Sequence, residues 1–195
     1  MANVAIIIYS MYQHVATMAE QVKAGVESEG STATIYQVPE TLPEEVLTAM
    51  YAPAKKDYPI ATTEILASAD AIIFGFPTRF GAMPAQIKAF IDSTGGLWAS
   101  GALYHKKCGV FISTGTGGGR EMTVVNFLST IAHHGMIYVP LGYAKAFGEL
   151  TTLTEVHGSS PWGAGCIAGS DGSRQPSELE LKIAKIQGAE FAKAI

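Results

Sequence analysis

Four continuous apolar runs divide the chain, and none of them alternates with polar residues. A strand that is covered on both faces has this pattern, so each run predicts a buried strand of a parallel sheet. A fifth segment, Thr32–Val38, alternates more and predicts a strand at the edge of the sheet. The four apolar runs are Val4–Tyr9, Ala71–Phe74, Gly109–Ile112 and Met136–Val139.

Helical patterns lie between the predicted strands. A long apolar stripe follows the first strand and is followed by Gly30, a typical helix stop, and shorter stripes follow the third and fourth strands. Near the C-terminus, Ser177 with Glu180 resembles a capping box in front of a last stripe. The stripes consist of Val15, Met18, Ala19, Val22 and Val26; of Ile87, Phe90 and Ile91, ending at Gly95-Gly96; of Val124, Val125, Leu128, Ile131 and Ala132; and of Leu179, Ile183 and Ile186.

This alternation of strands and helices predicts an α/β fold, a doubly wound parallel sheet with helices on both faces. The length of 195 residues fits one domain, 1–195. Residues 143–176 interrupt the alternation, since they are rich in Gly, Ser and Pro and only weakly periodic. A long irregular segment in a compact domain usually has a function, as a lid, an interface or part of a binding site.

The composition narrows the class of protein further. Apolar residues make up 48% and charged residues 15% of the chain, as in compact soluble proteins. The net charge of −4, without any basic tract, argues against nucleic-acid binding. The apolar runs are too short to cross a bilayer, and no signal peptide is visible. Cys108 and Cys166 stand apart, so we expect no metal site, no disulfide framework and a cytoplasmic location.

The turn after the first predicted strand carries the first candidate chemistry. In an open parallel sheet, ligands bind beyond the carboxyl ends of the strands, near the switch in strand order. Residues Ser10–Thr17 form a hydroxyl-rich turn without a carboxylate that runs straight into a helix. Backbone N–H groups and hydroxyls at a helix N-terminus suit a phosphate. The alternative is ordinary N-capping by Ser10 or Thr17.

Two more loops of the same kind follow the third and fourth strands. In Phe76–Pro84, a flat ligand could stack on Phe80 near Thr78, unless Phe80 belongs to the core and Arg79 is merely solvated. The glycine-rich loop Ser113–Arg120 exposes backbone donors. It is neither a nucleotide P-loop nor a dinucleotide fingerprint, because both patterns are missing. Three such loops at one sheet edge indicate a binding site more strongly than any one of them.

Several other chemistries are disfavoured by missing residues. The first strand ends in Tyr9-Ser10 and not in the acidic pair of a receiver domain. No Gly-x-Ser-x-Gly elbow occurs, which argues against an α/β hydrolase. His133-His134 has no metal-ligand spacing, and histidines at a helix end are often stabilised there by the helix dipole alone.

Six short motifs follow one another along nearly the whole chain, namely Ser10–Tyr12, Pro77–Gly81, Gly95–Trp98, Ser113–Gly119, Ala132–Gly135 and Asp171–Ser177. In this order and spacing they resemble the WrbA family of flavodoxin-like NAD(P)H:quinone oxidoreductases, from about residue 3 to residue 190. The stretch Glu155–Gly165 looks closer to the fungal members than to the bacterial ones. The resemblance implies a flavodoxin-like five-stranded sheet in the order 2-1-3-4-5, with residues 143–176 belonging to an insertion that interrupts the last strand.

The resemblance also implies an FMN cofactor, NADH or NADPH as electron donor, and a quinone that is reduced by two electrons in a ping-pong reaction. Phe80, Trp98 and His133 would shape the pocket, and Tyr12 and Arg79 would help to hold the nicotinamide cofactor. The resemblance further implies homotetramers with pockets shared between subunits. It also implies a role in protection against oxidative stress. The implied FMN-binding residues are Ser10, Met11, Tyr12, Gln13, His14, Val15 and Thr17 at the phosphate; Pro77, Thr78, Arg79 and Phe80 at the ring; Ser113, Thr114, Gly115, Thr116, Gly117, Gly118 and Gly119 along its edge; and His133.

Two positions depart from the family pattern. Gln13 stands where the family typically has glycine, and Ala82 stands where an asparagine is usual. A positive φ at Gln13 would cost roughly 1 kcal/mol, or its side chain would block the phosphate. An alternative hypothesis is therefore an interaction or regulatory protein with weak or absent FMN binding. A one-electron flavodoxin carrier is less favoured, because such carriers tend to be strongly acidic.

Overall fold

In the computed structural model, residues 1–195 form one parallel sheet with helices on both faces. The strands pair in the order β2-β1-β3-β4-β5, and β6 pairs with β4, so the predicted fold class and order are confirmed. β2 lies at the edge, as its alternating pattern predicts. The strands are β1 (Asn3–Ile8), β2 (Thr32–Gln37), β3 (Ala71–Pro77), β4 (Lys107–Thr114), β5 (Ile137–Tyr138) and β6 (Gly165–Ile167).

The fifth strand of the fold consists of two pieces, β5 and β6. β5 pairs with the first two residues of β4, and β6 pairs with its last three. The insertion that separates the two pieces therefore spans residues 139–164. The region of about 143–176 that the sequence assigns to the insertion therefore also contains β6 and the loop that follows it. A strand of three residues leaves only a short apolar run among glycines and prolines.

The helices are α1 (His14–Ser28), α2 (Glu44–Ala49), α3 (Thr63–Ser68), α4 (Ala85–Asp92), α5 (Gly95–Ser100), α6 (Arg120–His133), α7 (Phe147–Leu150) and α8 (Glu178–Ala194). The predicted face of α1 is buried throughout, and the capping box of Ser177 and Glu180 is present. Two details are wrong. Gly95 and Gly96 begin α5 and do not end a helix, and α6 is rotated relative to its predicted face.

The rotation of α6 results from aromatic packing. Phe127 is buried and contacts Phe74 and Phe76 edge to face, at centroid distances of 5.0 and 5.1 Å. Such pairs are stabilised beyond their buried area. As a result, Val125 and Ala132, which we expected in the core, are exposed.

Helices α1 and α8 pack closely against each other on one face of the sheet. A Cβ atom at Gly188 would lie 2.0 Å from the carbonyl oxygen of Val22, and one at Gly25 would lie 2.1 Å from that of Lys185. Glycine at both positions lets the two backbones touch. This packing joins the C-terminal half of α1 to α8, and it fixes α1, whose first residues line the candidate site described below.

None of the helices combines the length and the apolar character needed to cross a bilayer. No group of three or more His, Cys, Asp or Glu side chains is arranged to hold a metal ion.

Candidate functional site

A cavity of about 430 Å³ lies beyond the carboxyl ends of β1, β3 and β4, where the strand order changes direction. The three loops that the sequence singles out all contribute to it. The predicted residues that line it are Ser10, Met11, Tyr12, His14 and Val15 from the first loop, Pro77, Thr78 and Arg79 from the second, and Ser113, Thr114 and Gly115 from the third.

The first loop offers a row of free hydrogen-bond donors. The backbone N–H groups of residues 11–15 have no acceptor within the chain, whereas that of Ala16 donates to Ser10 Oγ at 3.1 Å. These groups lie in the turn that leads into α1 and on its first two residues, and α1 is a helix of 15 residues with a buried face. Free N–H groups and the helix dipole make such a turn a binding site for an anion, and a phosphate in particular.

The second loop is a tight turn with an exposed tip. Arg79 and Ala82 exchange two backbone hydrogen bonds, and Phe80 and Gly81 between them both have positive φ. The Arg79 guanidinium donates to the carbonyl of Thr78 and pairs with no carboxylate. It therefore provides an uncompensated positive charge at the rim of the cavity. The Phe80 ring is fully exposed and does not line the cavity.

The third loop contacts a fourth segment that the sequence analysis did not include in the site. Residues Ala168–Gly172 follow β6 and complete the cavity. The N–H groups of Ala168 and Gly169 donate to the carbonyls of Thr114 and Gly115, both at 2.8 Å. A signal was present, because Cys166–Ala168 is a short apolar run followed by Gly169-Ser170, like the ends of the other strands.

A buried carboxylate holds this fourth segment in place. Glu180 is fully buried, and its two oxygens accept hydrogen bonds from the N–H groups of Gly158, Ile167 and Ser177. They also accept one from the Arg174 guanidinium at 2.8 Å, which donates in addition to the carbonyl of Ile167. Glu180 thus joins the insertion, the end of β6 and the start of α8 behind the cavity.

Some predicted residues lie outside the lining. The Thr17 hydroxyl donates to the carbonyl of Gln13 at 3.0 Å, and the Gln13 amide donates to the carbonyl of Ala54 at 3.1 Å. Gln13 has φ 69, so the positive φ is real, but the side chain lies along the neighbouring loop. The remaining residues outside the lining are Thr116, Gly117, Gly118, Gly119, Phe80, Trp98 and His133.

Trp98 and His133 lie at the end of the sheet opposite the cavity. α6 begins beside the cavity and runs 14 residues, about 20 Å, before it ends at His133. There the His134 imidazole contacts the Thr94 hydroxyl at 2.8 Å, next to α5, which carries Trp98. Both Trp98 and His133 are exposed. Within one chain, therefore, neither residue reaches the cavity.

A second, partly buried carboxylate supports the outer side of the first loop. Glu40 accepts hydrogen bonds from Tyr9 at 3.1 Å, from Lys55 at 2.6 Å and from Gln86 at 2.8 Å. Partial burial by itself would raise the pKa of Glu40, but the hydrogen bonds from Lys55, Gln86 and the backbone N–H groups of Leu42 and Thr41 outweigh it and lower the pKa to about 2. Glu40 is therefore ionised wherever the protein is folded near neutral pH.

This lowered pKa predicts a pH dependence of stability. Because the folded-state pKa lies below the ordinary value of 4.5, the stabilisation by Glu40 is complete above about pH 4.5 and is lost as the pH falls towards 2. We expect the free energy of unfolding of wild type to exceed that of Glu40→Gln at pH 6, and the difference to shrink steadily in urea titrations down to pH 3. An equal difference at both pH values would contradict the assignment, and Glu44→Gln, at an exposed position in α2, is the control.

The donor set at the cavity fits a ligand with a phosphate at one end and a flat polar ring at the other. The free N–H groups of the first loop suit the phosphate, and the Arg79 guanidinium adds positive charge. The turn at Thr78–Ala82 and the loop from Ser113 to Gly115 border the other end. The one carboxylate on the lining, Asp171, accepts hydrogen bonds from the backbone N–H and the hydroxyl of Ser173.

Comparisons with known proteins point to the same ligand. Residues 9–148 match the model of the family described as NADPH-dependent FMN reductase. The chain is 60% identical over 195 residues to Protoplast secreted protein 2 of Saccharomyces cerevisiae, covering 100% of this chain and 98% of that one. It is 60% identical over 194 residues to NAD(P)H quinone oxidoreductase PST3 of Candida albicans, covering 99% and 98%. Among solved structures, it is similar to a flavodoxin, WrbA-like protein from Agrobacterium tumefaciens, with a TM-score of 0.67 and 24% identity over 100% and 97% of the two chains.

Proposed function

Because the chain belongs to the NADPH-dependent FMN reductase family, we propose that it is an FMN-dependent NAD(P)H:quinone oxidoreductase. The resemblance to fungal WrbA-type proteins is confirmed by relatives from two yeasts. The observation that carries the proposal is the turn at residues 11–15, whose five free N–H groups lie at the switch point between β1 and β3. In a flavodoxin-like sheet this is the place where FMN binds.

When bound, FMN would supply the redox chemistry, namely hydride transfer from the nicotinamide and two-electron reduction of a quinone. The protein supplies binding and orientation. The turn of α1 and Ser10 would hold the phosphate, and Pro77 and Thr78 would border the ring. Arg79, which has no acidic partner, would pair with a phosphate of NADH or NADPH at the rim.

We further propose that the active form is a homotetramer in which Trp98 and His133 act at the cavity of a neighbouring copy. The distance along α6 keeps both residues away from the cavity of their own chain. Phe80 supports the same proposal, because an aromatic residue with φ 54 is strained and its ring is fully exposed. Met122 is also exposed and lies close to Gly81 in the same turn. Sedimentation equilibrium of wild type and of Phe80→Ser tests the assembly, and a monomeric wild type with full activity would contradict it.

The function is tested by titrating cofactor-free protein with FMN while flavin fluorescence is recorded. The same sample is then assayed for oxidation of NADH and NADPH with a simple benzoquinone. We expect saturable quenching at micromolar FMN or below and turnover that depends on the quinone. No quenching well above micromolar FMN would overturn the proposal, and binding without turnover would favour the carrier or the regulatory protein.

The departure at Gln13 provides a sharper prediction. Gln13→Gly relieves a left-handed conformation that costs roughly 1 kcal/mol, but it removes the hydrogen bond to the Ala54 carbonyl and makes the unfolded chain more flexible. Because these effects oppose each other and the side chain does not line the cavity, we expect the FMN affinity to change by less than about threefold. A gain of tenfold or more would mean that Gln13 obstructs the phosphate.

Two broader proposals depend on the same activity. Reduction of quinones in a single two-electron step avoids reactive one-electron products, so we propose a role in protection against oxidative stress. We also propose a cytoplasmic location, which the two buried free cysteines support. The name of the Saccharomyces relative includes the word secreted, so fractionation of cells and medium is the direct test.

A further inference from the structure

His14 is held in one orientation by a residue 160 positions away. It is the first residue of α1, it is 5% exposed, and it lines the cavity. Its Nε2 atom lies 3.0 Å from the carbonyl oxygen of Arg174. A carbonyl oxygen only accepts hydrogen bonds, so Nε2 carries a proton. Nδ1, which has no hydrogen-bond partner in the chain, is the ring nitrogen left for a ligand.

The state of Nδ1 decides whether His14 attracts or repels a phosphate. Neutral His14 presents a lone pair at Nδ1, and this opposes the oxygens of a phosphate, which are acceptors as well. Protonated His14 presents an N–H group and a positive charge. A nearby opposite charge favours the charged form of an imidazole, so a phosphate bound beside Nδ1 favours the protonated form of His14. Phosphate binding and protonation of His14 are therefore thermodynamically linked.

The other ionisable groups around the cavity do not duplicate this behaviour. Tyr12, Arg79 and Asp171 line the same cavity, while Arg174 and Glu180 pair with each other behind it. Hydrogen bonds from the backbone N–H and the hydroxyl of Ser173 lower the pKa of Asp171, so this carboxylate stays ionised at neutral pH. Arginine keeps its charge throughout. His14 is the one imidazole on the lining, and imidazole is the side chain that changes charge between pH 5 and 8.

We propose that His14 makes the site selective for a phosphorylated flavin by taking up a proton from solvent as the phosphate binds. The Nε2–H group keeps donating to the Arg174 carbonyl, and the new proton on Nδ1 is donated to a phosphate oxygen. This inference rests on the proposed function, because the phosphate is that of FMN. It adds that FMN affinity decreases as the pH rises, while the affinity for riboflavin, which has no phosphate, does not.

The experiment measures the dissociation constants of FMN and riboflavin between pH 6.5 and 8.5, above the second ionisation of a phosphate monoester at about pH 6. Titration calorimetry in two buffers with different ionisation enthalpies counts the protons taken up. We expect FMN to bind about tenfold more weakly at pH 8.5, the effect of one charged hydrogen bond, with net proton uptake near neutral pH. Riboflavin is expected to vary by less than about twofold.

Two variants separate the two nitrogens of the ring. His14→Gln places an amide where Nε2 can still reach the Arg174 carbonyl and leaves nothing at Nδ1. His14→Asn places a neutral donor near Nδ1 at every pH. Both are expected to bind FMN without the decrease towards pH 8.5. His105→Asn is the control, because His105 lies at the opposite edge of the sheet and its φ of 63 suits asparagine.

The outcomes distinguish this inference from the function on which it rests. FMN binding without proton uptake, or an equal pH dependence in wild type and His14→Gln, overturns the role of His14 and leaves the function standing. The same holds if riboflavin shows the pH dependence of FMN. If FMN binds at no pH, the proposed function fails, and this inference fails with it. Calorimetry on wild type alone decides the matter if the variants do not fold.

Discussion

Replacing Glu180 with alanine is expected to lower the free energy of unfolding by about 3–5 kcal/mol, because the change removes a fully buried carboxylate from its ion pair with the partly exposed Arg174 and from three backbone N–H donors. The Arg174 guanidinium and the N–H groups of Gly158, Ile167 and Ser177 would lose their acceptor at the same time. Buried donors without an acceptor pay their full desolvation penalty. Urea unfolding, followed by circular dichroism, measures the loss directly.

The matched control is Glu178→Ala, which removes an exposed carboxylate from the same first turn of α8. Its expected effect is below about 1 kcal/mol, the size of an exposed interaction with the helix dipole. FMN binding provides a second measurement of the effect of Glu180→Ala. The chain of contacts from Glu180 through Arg174 to His14 orients the phosphate end of the cavity, so Glu180→Ala should weaken FMN binding even at temperatures where it is folded. Equal stability of the two variants would show that the pair is dispensable.

Most of the sheet could be predicted because a strand covered on both faces leaves a continuous apolar run. The runs at 71–74 and 109–112 both lie in central strands for this reason. Prediction was wrong where a local pattern is too short or where packing overrides it. β6 has only three residues. In α6, the ring of Phe127, which directly precedes Leu128 of the predicted stripe, turns a different face of the helix towards the core.

The candidate site, like the fold, could be predicted from the sequence only in part. The turns after β1, β3 and β4 carry local signals, since hydroxyls and glycines at the start of a helix or loop are visible in sequence. Contacts across large sequence separations are not visible, and the bond from His14 to the Arg174 carbonyl is one of them. The distance of His133 from the cavity depends on the direction and the length of α6. The direction of a helix in the fold is visible in the structure and not in the sequence.

The largest functional effect is expected from Ser10→Asp, which places a negative charge at the phosphate end of the cavity. Ser10 is buried and its Oγ accepts a hydrogen bond from the N–H of Ala16, a bond that a carboxylate oxygen of aspartate can also accept. Two unit charges about 5 Å apart repel by roughly 3 kcal/mol at an effective dielectric constant of about 20, and the phosphate carries nearly two charges. We therefore expect FMN to bind at least a hundredfold more weakly.

Ser10→Asn separates charge from shape, because it has nearly the same size as aspartate and also caps helices well. It is expected to retain FMN affinity to within about tenfold. Riboflavin affinity should be similar in both variants, because the neutral ligand brings no phosphate to the new carboxylate. If Ser10→Asp and Ser10→Asn bound FMN equally well, the phosphate would have to lie elsewhere than on the turn of α1. Since that turn with its free donors is the observation on which the flavin site rests, the assignment of the whole cavity would fall with it.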